Sequence, residues 1–393
     1  MTFTLLEGLK VLDLGIAAAG PYCTKLMADA GADVIHVERP GTGDPSRAYG
    51  PFAPDDPRRE LSATFAFLNA NKRSVTLNFA DPDGGVLLCE LVDWADILVE
   101  NFRPGTLTRH GFATEQLLDR RPALVQVSIS NYGQTGPYRD FTATEMTLQA
   151  MGGMMDGNGE LEREPLRYPG LTAQYMAGAN AAYSGLVAQR HARRTGRGQQ
   201  VDVSIQESVA STFWSLYADY EYAGALQARG QKDLYPTADG LFMGRWLSSV
   251  PWDAFAIAFE APELAVDPAL APPLGLTTNS ETVAEILSGR LQTKPRHEWF
   301  ARAQEHGITA GMLQTLDEVL ACPHLEARSF FDEVATPSGR RTPFPGHPYT
   351  LGGRREPGVR TVPRLGEHNA EVYGDLLGRT PAQLDALRAR EVI

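Results

Sequence analysis

LKVLDLGIAAAGPYCTKLMADAGADVIHVE, residues 9–38, holds the passage on which the fold turns. Leu9 to Leu14 (LKVLDL) is a short apolar run of strand type, and Gly15 opens a small-residue turn. After Pro21, the residues from Tyr22 to Ala30 repeat their apolar positions with helical spacing. Ala32 to Glu38 (ADVIHVE) is again a strand pattern, so these residues predict a βαβ unit and therefore a parallel sheet.

The alternation continues outward. Ser74–Asn78 (SVTLN) reads as a strand, Gly84–Ala95 as a helix, Ile97–Glu100 (ILVE) as a strand and Leu124–Ser128 (LVQVS) as another. This is the pattern of a doubly wound α/β, Rossmann-like fold. Beyond a glycine-richer stretch, Ala173–Arg190 reads as a helix whose small face, Ala177, Ala181 and Gly185, implies close packing. Val201–Leu226 reads as one further long helix. From about Gln231 the chain turns to Pro-containing loops, notably Ala261–Gly275, then to helices at Ser280–Leu291 and His297–Gly307, which predict a smaller second domain. Thr336–Gly366, rich in Pro, Gly and Arg, reads as an extended return segment before a helical piece at Asn369–Leu377.

With 393 residues the chain exceeds one ordinary core, and 43% hydrophobic with 21% charged residues is the make-up of a globular protein. No apolar run is long enough to span a bilayer, and the first residues lack the pattern of an export signal, so the expectation is a cytoplasmic protein without a membrane partner. A net charge of −12 disfavours nucleic acid and anionic membranes. Three separated cysteines (Cys23, Cys89, Cys322) fit a reducing compartment, and eight scattered histidines show no metal-ligand spacing, so no metal is expected.

Gly15–Gly20 (GIAAAG), with Glu38 as a candidate ribose ligand, superficially suggests a dinucleotide loop. Alanines occupy the places where that fingerprint needs glycine for close approach of a pyrophosphate. No G-x-S-x-G is present, which removes the α/β serine hydrolases. What remains is basic and amide side chains at strand ends: Arg39, Lys72, Arg73, Asn101 and Arg103. Ligands of open α/β sheets bind beyond the carboxyl ends of strands, where such groups suit an anionic, phosphate-bearing ligand, although ordinary surface charge reads the same way.

LEGLKVLDLG (6–15), GPYCTKLMADAGADVIHVERPGTGDPSR (20–47), NANKRSVTLN (69–78), ADILVENFRPG (95–105), GQTGPYRD (133–140), QAMGGMM (149–155), TGRGQQVDVSIQES (195–208) and PRLGEHNAEVYGDLLG (363–378) occur in this order. Together they resemble the class III CoA-transferases, the family of formyl-CoA transferase, carnitine CoA-transferase and, as a sister branch, alpha-methylacyl-CoA racemase. The resemblance implies a large Rossmann-like domain begun by 1–228 and completed by a return at 331–393, with a smaller α+β domain at 229–330. It implies an obligate dimer of interlocked rings, formed with itself or with a paralogous chain. It further implies coenzyme A as part of an acyl-CoA substrate, a carboxylic acid as the other substrate, and a CoA site that includes Arg39, Lys72, Arg73, Asn101 and Arg109.

In these transferases an aspartate attacks the acyl-CoA carbonyl. Counting back from TGRGQ, the matching position here is Gln174, and an amide oxygen is a poor nucleophile. The racemase branch's histidine and aspartate fall on Thr144 and Gln174, neither of which shuttles protons near neutral pH. Ala18 and Thr142 stand where formyl-CoA transferase has an active-site glutamine and a CoA-binding lysine. Three readings stay open: Glu145 supplies the carboxylate; the chain is a nucleophile-free subunit beside an Asp-bearing paralogue; or the scaffold runs another CoA-thioester reaction (lyase, isomerase or hydrolase-like), with Gln174 as a hydrogen-bond donor to the thioester oxygen and Glu145 or Asp156 as base.

Overall fold

The computed structural model describes residues 5–54, 56, 61–160, 162–224, 234–244, 251–276, 278–335, 340–350 and 359–393. It divides into two compact units, Met1–Arg229 with Glu326–Ile393, and Gly230–Leu325.

The first unit opens with β1 (Lys10–Asp13), α1 (Ala19–Asp29) and β2 (Asp33–Glu38), the βαβ unit expected from residues 9–38. It continues through α2 (Ala63–Asn69), β3 (Arg73–Thr76), α3 (Pro82–Trp94), β4 (Ile97–Glu100), α4 (Thr106–Arg109), α5 (Thr114–Arg120) and β5 (Val125–Ser130). Then come α6 (Glu145–Met151), α7 (Thr172–Thr195), β6 (Gln199–Ser204), α8 (Ile205–Thr212) and α9 (Trp214–Ala223). The six strands form one sheet in the order β3-β2-β1-β4-β5-β6, all parallel, which is the Rossmann order with its reversal between β1 and β4.

One core lies on each face of this sheet. Val11, Val99, Val127 and Ile129 pack with α1 and α7, while Leu12, Ile35, Val75 and Leu98 pack with α3, α5 and the C-terminal helices. The small face of α7 does what its residues imply. Ala177 and Ala181 are fully buried, and a Cβ on Gly185 would meet Val127 Cγ2 at 3.0 Å. On the neighbouring Gly178 a Cβ would fall 2.8 Å from Ala19 O, so α1 and α7 approach along a seam that side chains would force apart.

The single long helix expected over Val201–Leu226 is corrected. Gln199–Ser204 is edge strand β6, paired with β5 from Val125↔Gln199 to Ser130↔Ser204. The Ser204 hydroxyl then accepts from Glu207 N (3.2 Å) and starts α8, and the chain breaks again at Phe213 before α9. Residues 225 and 226 lie outside the described part.

The second unit carries β7 (Leu234–Pro236), β8 (Leu241–Met243), α10 (Trp252–Ala258), α11 (Glu263–Val266), α12 (Ser280–Leu291), α13 (Arg296–Glu305), β9 (Gly311–Met312) and α14 (Leu316–Leu320). β7, β8 and β9 form an antiparallel sheet, and Phe242, Phe255, Phe259, Leu287 and Trp299 form a separate core. After α15 (Pro323–Ala327) the return runs through β10 (Phe331–Ala335), β11 (Arg341–Pro345) and β12 (Val359–Arg360) to a π-helix at Ala370–Leu376 and α16 (Pro381–Ala389). The return seals the open β3 edge: Asn369 Oδ1 accepts from Thr76 N (2.9 Å), Asn369 Nδ2 donates to Thr76 Oγ1 (2.7 Å), and Asn78 N donates to Val392 O (2.8 Å). α16 was not anticipated from the sequence. No described helix is long and apolar enough to cross a membrane.

Candidate active site

A cleft of about 290 Å³ opens at the carboxyl ends of β4 and β5, beside the reversal of strand order. Asn101, Arg103, Arg109, Arg139, Asp140 and Gln174 are among its lining residues. It therefore gathers four residues singled out from the sequence, Asn101, Arg103, Arg109 and Gln174, around one concavity.

Each wall has a local cause. Glu100 ends β4 buried, and its Oε2 accepts from Phe102 N (2.8 Å), which turns the chain sharply out of the sheet. Burial pushes the Glu100 carboxyl up to about 7, against the pull of a Ser128 hydrogen bond. Asn101 then clamps the loop after β1: its Oδ1 accepts from Ile16 N (2.7 Å) and its Nδ2 donates to Ile16 O (2.9 Å). Gly105, at φ +78°, makes the left-handed turn that starts α4 and carries Arg109 to the cleft, where its guanidinium donates to Thr106 Oγ1 (3.0 Å). On the far wall, Asp202 of β6 accepts from Gln134 N with both oxygens (3.1 and 2.9 Å) and pins the loop that bears Arg139 and Asp140.

Gln174 is the third residue of α7, and its side chain makes no hydrogen bond with the described residues. Glu145 is close but engaged. Its Oε1 accepts from Ala173 N (2.7 Å) and Gln149 Nε2 (2.8 Å), and its Oε2 accepts from Gln174 N at 3.4 Å. The N-cap residue of α7, Leu171, offers no side-chain cap, so Glu145 does that work from α6.

Other candidates lie elsewhere. Lys72 is buried, its ammonium donating to Asp13 Oδ2 (2.9 Å), Pro21 O (2.9 Å) and Asn69 Oδ1 (2.8 Å), which uses every N–H it has. Burial alone raises the Asp13 carboxyl, but Lys72 and His36 together hold it well below the usual carboxylate range. Arg73 reaches back to Asp33 (2.9 and 2.7 Å) and across to Glu371 (2.9 Å). Both cations thus have internal partners. Arg39 is exposed beyond β2, at the carboxyl edge of the sheet, outside the cleft lining. Glu38, the candidate ribose ligand, is buried and bound by Arg47 (2.6 and 2.7 Å) and Ser74 Oγ (2.6 Å), so its oxygens face protein. Ala18 is buried at the start of α1, Thr144 caps α6, Thr142 is exposed just beyond the lining, and Asp156 is exposed after α6. Arg139 and Asp140 were missed as cleft residues, although both lie inside the GQTGPYRD motif, whose glycines mark a shaped loop.

A family model described as CoA-transferase family III matches residues 6–369. The chain belongs to CoA-transferase family III. Succinyl-CoA--D-citramalate CoA-transferase of Chloroflexus aurantiacus is 34% identical over 99% of this chain and 98% of its own. The beta subunit of succinyl-CoA--L-malate CoA-transferase from the same organism is 32% identical over 99% and 98%. A CAIB/BAIF family protein from Brucella suis superposes with TM-score 0.82 at 29% identity, covering 94% of this chain and 99% of that one. Membership of CoA-transferase family III makes acyl-CoA thioesters and carboxylates the substrates of this class of protein, and the parallel six-stranded sheet is its scaffold.

Proposed function

We propose that this chain binds an acyl-CoA in the cleft of Asn101, Arg109 and Gln174, and that it works as a transferase protomer lacking its own acyl-accepting carboxylate, interlocked with a related chain that supplies one. The observation that carries this reading is the pairing of an uncommitted amide at Gln174, in the cleft, with a Glu145 carboxylate already taken up by the amides of α7. A carboxylate holding helix N–H groups is a weakened nucleophile, because attack on a thioester costs those hydrogen bonds. Gln174 Nε2 can still donate to a thioester carbonyl oxygen, which stabilises the oxygen charge that builds when a carboxylate from outside attacks the carbon. Arg109, with Arg39 farther along the carboxyl edge, suits CoA phosphates.

The partner has a place to dock. All of α9 is solvent-accessible, with Trp214 71% and Tyr222 92% exposed beside Tyr217 and Tyr220. A helix with that many uncovered rings marks an interaction surface, in keeping with the interlocked rings implied by the family resemblance. The beta-subunit name of one relative supports a partner that is a related chain rather than a second copy. The cytoplasm is the proposed setting, where the free Cys23, Cys89 and Cys322 stay reduced.

The test compares the chain purified alone with the chain co-expressed with a paralogue that carries Asp at the position of Gln174. Succinyl-CoA is the first donor to try, since relatives are named for it. The chain alone should bind CoA, transfer none, and give no hydroxylamine-sensitive adduct, and Gln174→Asp should yield a covalent CoA thioester seen by mass. Turnover by the wild-type chain alone, with an adduct mapped to Glu145 or Asp140, would refute this reading.

A further inference from the structure

The backbone amide of residue 174 faces a carboxylate on another helix. α7 begins without a side-chain cap of its own, and the Ala173 and Gln174 amide hydrogens both point to the Glu145 carboxylate (2.7 and 3.4 Å). Glu145 is itself fixed by Gln149, whose Nε2 donates to Glu145 Oε1 (2.8 Å) and to Tyr168 O (3.2 Å), and whose Oε1 accepts from Tyr168 N (2.8 Å). Gln149 is fully buried, so hydrogen bonds tie α6, the segment at Tyr168 and the first turn of α7 together.

We propose that Glu145 is a positioning residue: by occupying the amino end of α7 it orients the residue-174 side chain into the cleft and sets the negative potential felt there. The inference rests on the cleft being the acyl-CoA site, and it replaces a nucleophilic or basic role for Glu145. The other charged groups around residue 174 are Arg103, Arg109, Arg139 and Asp140 of the cleft lining, and the half-buried Tyr175 phenol is raised first by burial and then by Tyr22 and Glu145.

A thiol reports that potential without needing turnover. In Gln174→Cys, iodoacetamide modification of residue 174 is followed against pH by peptide mass mapping, which separates it from Cys23, Cys89 and Cys322. Adding Glu145→Gln should lower the pH midpoint by about one unit and speed alkylation at neutral pH about three- to tenfold, because the thiolate loses an anionic neighbour and gains helix amides. Glu145→Asp, which keeps the charge, should restore most of the original midpoint. An unchanged midpoint in a Glu145→Gln protein with native circular dichroism overturns the proposal. Should Glu145→Gln fail to fold, hydrogen exchange on the wild type decides: slow exchange at Ala173 and Gln174 supports the capping contact, and rapid exchange overturns it. CoA titration of the same samples separates the two readings, since loss of CoA binding with the thiol shift intact counts only against the acyl-CoA site.

Discussion

Lys72 Nζ sits 2.9 Å from Asp13 Oδ2 with neither side chain reaching solvent, at the junction of β1 and the entry to β3. His36 Nδ1 (3.0 Å) and Thr24 Oγ1 (2.6 Å) share the same carboxylate, so removing the lysine strands an ion in the interior. Lys72→Ala should lower stability by about 3–5 kcal/mol in a urea titration. A lysine whose task was to hold phosphate would behave oppositely, with CoA affinity lost and the urea midpoint kept.

Asn101 ties the loops after β1 and β4 together through both atoms of its amide. Asn101→Asp turns one of those two contacts into a repulsion between oxygens, with a cost of about 1–3 kcal/mol. Thermal unfolding measures that loss. Because Ile16 precedes Ala17, which holds φ +63° and donates to Asp44 Oδ2 (2.9 Å), the same variant should speed amide exchange at Ala17.

The Glu100 carboxyl has its folded value raised to about 7 from an ordinary value of 4.5. Its contribution to stability is therefore fully present below 4.5 and lost as pH rises through 7, where burial opposes the charged form. Glu100→Gln, which cannot ionise, should be more stable than the wild type above neutrality, by up to ~3 kcal/mol, with the gap closing in acid. Paired urea titrations across that range check the slope, and a gap that widens in acid would show the opposite sign.

Arg109→Ala should weaken CoA binding about tenfold or more and reduce its salt dependence, since one charge-assisted contact to phosphate is lost. Arg109→Lys should recover little of it, because a single ammonium cannot match the forked geometry of guanidinium. Calorimetric titration at low and high salt reads both effects.

The βαβ start was legible because Val11, Leu12, Val34 and Ile35 sit in short apolar runs broken by small residues, and both signals are local. β6 was not. QQVDVS runs into IQESVAST without a glycine or proline between them, and its strand state comes from pairing with Val125–Ser130, more than seventy residues earlier. Lys72 looked like a surface cation for the same reason, since its carboxylate partner lies 59 residues away. Both Gln174 and Arg109 line the cleft, but Gln174 is reached from the sequence only by counting back from TGRGQ, and Arg109 only through the family resemblance. The engagement of Glu145 is a matter of which way two helix ends face, and no spacing rule encodes it.

The bare rings of α9 have a consequence for how the protein is made. Trp214, Tyr217, Tyr220 and Tyr222 would leave a newly synthesised, unaccompanied copy sticky. Its abundance would then follow that of whatever shields the helix. With the related chain proposed above as that shield, deleting its gene should deplete this chain from the cell even while its messenger is made at the usual level.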